Sequence, residues 1–167
     1  MNKITIKGTL FFVLSLFVLS SQNVSASASI GQSAKEKVVA PEFTLGTTQG
    51  KTVSLKDFKE KGKVLFFFTI WCPYCRQKLP VLAKEYEQFR SQNIELLLID
   101  AGESKLKVSS FIAKEQLPFD VLLDTSMKTS EAYEVIGVPT FVLVSKDGLI
   151  VYQGNDLPRD YKEILAQ

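Results

Sequence analysis

Cys72 and Cys75 are the only cysteines in this 167-residue chain, and they stand three residues apart in Cys72-Pro73-Tyr74-Cys75. A thiolate attacks disulfide sulfur, and a second thiol at this spacing can displace the first from the mixed disulfide that results. The pair therefore reads as a dithiol–disulfide couple: Cys72 attacks, Cys75 resolves. An inert structural disulfide would close a very short loop and stabilise little. The chain has no histidine, which removes Ser-His-Asp and Cys-His catalysis and any histidine metal site. Two thiolates alone do not close a four-coordinate metal site, so neither metal nor cofactor is expected.

The elements around the pair must hold it at a helix start. Val64 to Ile70 (VLFFFTI) is a continuous apolar run of the kind buried on both faces of a sheet. A helix from the cysteines to about Ser91 carries Leu79, Leu82, Tyr86 and Phe89 on one face, with Pro80 inside it as a kink. Pro73 suits the first helical position. The unpaired N–H groups of that turn favour an anion and stabilise a Cys72 thiolate.

The rest alternates strands and helices. Short strands are expected at Phe43–Leu45 and Thr52–Leu55, and Ile94–Ile99 forms a second buried strand. A helix over Ser104–Gln116 offers Leu106, Phe111 and Ile112 to the core. Phe119–Leu123 is a strand, and Asp124 opens a helix to Tyr133. Thr140–Val144 and Leu149–Tyr152 form a hairpin turned by Asp147-Gly148, and a last helix covers about Asp160–Leu165. The charge run Lys56–Lys63 reads as a solvated helix and turn. Crossover helices between buried runs imply parallel neighbours, and the hairpin adds antiparallel ones. The expected class is α/β, a central mixed sheet flanked by helices.

The first stretch is an address. Lys3 and Lys7 precede an apolar run, Thr9 to Ser20, followed by Ala26-Ser27-Ala28. This fits a signal peptide over 1–28 cleaved after Ala28, with Val24-Ser25-Ala26 as a weaker site. The run is short for a membrane span, which needs about 20 residues; retained, it would be an anchor. Residues 29–40 read as a linker and 41–167 as the domain. Removing the leader takes two lysines and no acid, leaving equal numbers of basic and acidic residues. Such a surface gives no reason to expect a nucleic-acid partner. Export places the domain outside the cytoplasm, where disulfides persist.

Three motifs carry a resemblance to the thioredoxin superfamily over about Ala40 to the end: Ala40-Pro41-Glu42-Phe43, Trp71-Cys72-Pro73-Tyr74-Cys75 and Gly137-Val138-Pro139-Thr140. The segment Ile99-Asp100-Ala101-Gly102-Glu103-Ser104, with its following helix and Phe119–Asp124, resembles the insertion of the exported TlpA/ResA-like branch, a redoxin or AhpC/TSA-like group. The resemblance implies a thioredoxin-like fold with an N-terminal extension and an internal βα insertion. It implies a cis Val138–Pro139 bond facing the cysteines, with the Val138 backbone pairing with substrate, and supporting roles for Trp71, Pro73, Tyr74 and Thr140. It implies an extracytoplasmic oxidoreductase that reduces disulfides of exported proteins, for example apocytochrome c, with electrons from a membrane thiol transporter of the CcdA or DsbD type.

The chain departs from the superfamily pattern where proton transfer is concerned. Phe66 stands where a buried acid would be, and Leu96 where its lysine partner would be. Branch members can place a glutamate between the cysteines, whereas here the pair is Pro73-Tyr74, the dipeptide of glutaredoxins. Other readings are an oxidant or isomerase in disulfide formation, a glutathione-dependent enzyme, a peroxidase, or a non-catalytic binding module. The peroxidase setting Pro-x-x-x-Thr-x-x-Cys is absent around Cys72, and the lack of histidine argues against a copper-delivery protein of the Sco type.

Overall fold

A computed structural model describes residues 38–166. The signal-peptide reading of 1–28 and most of the 29–40 linker lie outside the described residues. The remainder of that linker is not featureless, because Val38–Val39 forms an edge strand, β1, paired antiparallel with a later strand.

The other strands are β2 (Thr44–Thr47), β3 (Thr52–Ser54), β4 (Gly62–Phe68), β5 (Ile94–Ala101), β6 (Leu122–Asp124), β7 (Thr140–Val144) and β8 (Leu149–Gly154). They form one sheet in the order β1-β8-β7-β4-β5-β6-β2-β3. β4, β5 and β6 are mutually parallel, and every other neighbouring pair is antiparallel. The helices are α1 (Pro73–Ser91), α2 (Lys105–Lys114), α3 (Lys128–Ala132) and α4 (Tyr161–Leu165). The expected α/β class with a mixed sheet is what forms, and β5–α2–β6 is the expected insertion.

β4 is central because its sequence can satisfy two apolar faces. Val64, Phe66 and Phe68 point into a cluster with Leu79, Leu82 and Phe89 of α1, Val108 and Ile112 of α2, and Tyr161 and Leu165 of α4. Leu65 and Phe67 point the other way, against Ala40, Phe43, Leu55 and Tyr133. All five β4 residues from Val64 to Phe68 are fully buried. At about 25 cal/mol per Å2 of apolar surface, each such side chain contributes roughly 1.5–3 kcal/mol. Phe66 stacks on Phe141 of β7 at 4.5 Å between ring centres, so the position that departs from the acid pattern is an aromatic contact.

Several boundaries differ from the sequence reading for identifiable reasons. β4 ends at Phe68 and not at Ile70, because the Ile70 N–H is taken by the Glu103 carboxylate at 2.7 Å and not by a strand. Lys63, read as the solvated end of a charge run, is buried in β4 and donates from Nζ to the Ser145 carbonyl at 3.1 Å. Earlier in that run, Lys56 to Phe58 lie in a short 3-10 turn, Leu55–Phe58, a loop follows, and Gly62 already opens β4. Leu106 is exposed; Val108 and Ile112, one turn apart, make the buried stripe of α2, and Leu106 lies off it. Asp124 does not open α3. It ends β6, and the chain turns through Met127 at φ 59° before α3 starts. The Asp124 carboxylate then accepts from Thr129 N (3.3 Å), Ser130 N (2.7 Å) and Ser130 Oγ (2.8 Å), holding the α3 N-terminus from outside the helix.

Candidate functional site

The strand-to-helix turn after β4 carries both thiols. Cys72 is the N-cap of α1 and Pro73 the first helical residue. The Cys75 N–H, one of the helix-start donors without a backbone partner, points at Cys72 Sγ at 3.2 Å. The turn is closed by Cys72 N donating to the Thr69 carbonyl at 3.3 Å. Pro80 lacks the N–H that would reach the Arg76 carbonyl, yet α1 continues through it to Ser91.

Both cysteines are free thiols with sulfurs 2.6 Å apart. Both are buried, Cys72 with 4% of its surface exposed and Cys75 with none. Burial, with the hydrogen bond to Cys72 next in weight, pushes the Cys75 thiol up from 9.0 to about 12. Cys75 is therefore held protonated and inside.

The loop before β7 completes the site. The Val138–Pro139 bond is cis. The Val138 carbonyl lies 3.7 Å from Cys72 Sγ, within reach of a thiol donor. Pro139 is buried, and Thr140 Oγ1 donates to the Gly137 carbonyl at 2.7 Å, tying the loop back on itself. Val138 is half-buried, and Ile136 beside it is fully exposed. Trp71 is 70% exposed and Tyr74 69% exposed. A tryptophan so exposed is not a core residue; it presents an apolar face beside the thiols. Pro73 is exposed as well.

The residues singled out from sequence thus fall into one site: Cys72 and Cys75 at its centre, the Val138–Thr140 loop facing them, Trp71, Pro73 and Tyr74 around them. Sequence reasoning missed two acids. Glu103 reaches from the β5–α2 connection to the Ile70 backbone, and Asp100, fully buried, accepts the Glu103 N–H at 3.0 Å. The signal was a lone aspartate closing the apolar run Leu96-Leu97-Leu98-Ile99, where a buried charge needs a reason. Among the described residues no group of three or more metal-ligating acids or thiols occurs.

Comparison with known proteins fits this geometry. Residues 37–153 match the AhpC/TSA family. Over 120 residues the chain is 38% identical to the thiol-disulfide oxidoreductase ResA of Bacillus subtilis, covering 72% of this chain and 67% of that protein. It is 32% identical to the ResA of Bacillus cereus over 152 residues, 88% of each chain. Among solved structures it resembles a putative thiol:disulfide interchange protein DsbE of Chlorobium tepidum. That match has a TM-score of 0.66 and 26% identity, covering 78% of this chain and 92% of the other.

Proposed function

Since the chain belongs to the AhpC/TSA family and is a thioredoxin-like thiol–disulfide oxidoreductase of the ResA kind, we propose that Cys72 and Cys75 are its redox couple. On this reading it acts outside the cytoplasm to reduce disulfides of exported proteins, apocytochrome c among them. The observation that carries the proposal is the pair of adjacent thiols at one helix start, with Cys75 fully enclosed and held protonated and Cys72 facing the Val138 carbonyl.

The reaction balances with thiols alone. The Cys72 thiolate attacks one sulfur of a client disulfide, forming a Cys72–client bond and releasing the other client sulfur as a thiolate, which takes up a proton. Cys75 then loses its proton and attacks Cys72 Sγ. The Cys72–Cys75 disulfide forms, and the second client sulfur leaves reduced. The client gains two electrons and the protein loses them, so a donor must re-reduce the pair; a membrane thiol transporter of the CcdA or DsbD type is proposed for that role. Val138 offers backbone beside the attacked sulfur, and Trp71, Tyr74 and Ile136 offer apolar surface to an extended client segment. Pro73 and Thr140 shape the helix start and the facing loop.

Trapping tests the roles. A Cys75→Ser chain is expected to accumulate client mixed disulfides on Cys72, and a Cys72→Ser chain to accumulate none. Trapping by Cys72→Ser alone would reverse the roles, and trapping by neither would end the proposal. The reduction potential tests the direction. A value near or below about −270 mV fits a reductant, and one near about −120 mV would make the protein a disulfide donor and remove the cytochrome reading.

A further inference from the structure

Asp100 is a buried acid with half of its hydrogen bonding unmet. Alternation along β5 puts it on the face of Leu96 and Leu98, the face on which α1 packs. Its Oδ1 accepts the Glu103 N–H, while Oδ2 is buried and has no donor. β4 sets Phe68 beside it, with nothing to donate. The ionisable groups that bear on it are themselves acids: the Glu103 carboxyl, within side-chain hydrogen-bonding reach, and Asp124 from the neighbouring β6. Asp124 is already engaged by Thr129 and Ser130. Two ionised carboxylates cannot satisfy each other, whereas one proton between them satisfies both. Glu103 in turn accepts the Ile70 N–H, two residues before Cys72.

We infer that Asp100 and Glu103 form a proton-sharing carboxyl pair that positions the Thr69–Cys72 turn, so that disulfide exchange at Cys72 follows the charge on this pair. Burial, then the hydrogen bond and charge of Glu103, hold the Asp100 carboxyl up to about 8. While Asp100 keeps its proton, its hydroxyl donates to the Glu103 carboxyl, which holds Ile70. Once Asp100 loses that proton to solvent, its buried carboxylate faces the Glu103 carboxyl with no donor between them, and the hold of Glu103 on the Ile70 N–H is weakened. The turn that presents Cys72 then loses its outer tie. Asp100 and Glu103 are positioning residues, since neither touches the sulfurs.

The relevance to exchange rests on the function proposed above; the titration does not. On the intact chain with carbon-13-labelled aspartate carboxyls, one resonance is expected to titrate near pH 8. It should be missing from Asp100→Asn and moved toward the ordinary aspartate range in Glu103→Gln. Exchange with a small chromogenic disulfide is then followed against pH. The ratio of wild-type to Asp100→Asn rates should stay flat below about pH 7 and fall about tenfold by pH 9.5, the worth of one hydrogen bond to a charged acceptor. Asparagine stays neutral and can donate to Glu103 at every pH. An Asp100 carboxyl titrating in the ordinary range overturns the inference, and so does a ratio that is constant across pH. If Asp100→Asn fails to fold, the labelled wild type and Glu103→Gln still decide it. A normal pH step in a chain that traps no client would instead refute the proposed function alone.

Discussion

Replacing Cys72 by Ser isolates the buried thiol and puts a number on its protection. Cys75 is fully buried and pushed up from 9.0 to about 12, with burial as the first cause and the Cys72 hydrogen bond as the second. Serine keeps a hydroxyl near the place of the sulfur, so the Cys72→Ser chain retains the first cause and much of the second. At pH 7 a rise of that size lowers the thiolate fraction by about a thousandfold. The remaining thiolate is more nucleophilic, because reactivity rises with basicity with a Brønsted coefficient of about 0.4–0.5, a gain of about 15–30-fold. The net expectation is that Cys75 attacks a small disulfide about 30–60-fold more slowly than an ordinary thiol. The assay is release of chromophore from an aromatic disulfide by Cys72→Ser, native and in denaturant, where the same Cys75 is its own reference. Restricted access to the sulfur slows the native reaction further, so the pH profile separates the two effects. A high pKa keeps the native rate climbing tenfold per pH unit well past pH 9, whereas access alone leaves a plateau at the ordinary thiol value. A native-to-denatured ratio near one, or a plateau near pH 9, would refute the assignment of Cys75 as the protected thiol.

Four further outcomes follow from contacts described above. Asp124→Ala strips three hydrogen bonds from the α3 N-terminus and should cost about 3 kcal/mol in denaturant unfolding, since each bond to a charged acceptor is worth about 1.5–3 kcal/mol and such bonds add incompletely. Tyr133→Phe removes the hydroxyl that donates to the Pro41 carbonyl at 2.8 Å; about 1 kcal/mol should be lost, with faster proteolysis near Pro41. Burial lowers the pKa of Lys63 below 10.5, so between its folded value and 10.5 the unfolded chain binds more protons and stability rises with pH. Lys63→Met should lack that rise in unfolding curves taken across the alkaline range. Ile136→Lys, at a fully exposed position beside the Val138 loop, should leave stability within about 0.5 kcal/mol. It should raise KM for a polypeptide disulfide while sparing a small one; equal effects on both would remove Ile136 from the client surface.

Local sequence was sufficient wherever one physical rule had no competitor. The run Val64–Phe68 had no polar face to turn outward, so it had to be a central strand. Proline after Cys72 had to start a helix and not interrupt one, and Asp147-Gly148 had to turn, as Gly148 does at φ 80°. The chemistry of the site was legible for the same reason: with two cysteines and no histidine, few reactions remain.

What tertiary structure decided are the places where a polar group's partner lies far along the chain. Lys63 looks like surface until Ser145, 82 residues later, supplies a buried acceptor. Asp124 looks like a helix cap for the residue beside it, yet its carboxylate reaches five and six residues on, because Met127 turns the chain back. Glu103 looks like a solvated loop acid, but packing of the β5–α2 connection against the end of β4 delivers it to Ile70, 33 residues earlier. The thiol pair belonged to the sequence, since three residues of spacing suffice to join two sulfurs. The division of roles between the thiols was also readable from their places at a helix start; the full enclosure of Cys75 and the reach of Glu103 to Ile70 belonged to the fold, because desolvation and contact depend on what the rest of the chain brings within a few ångströms.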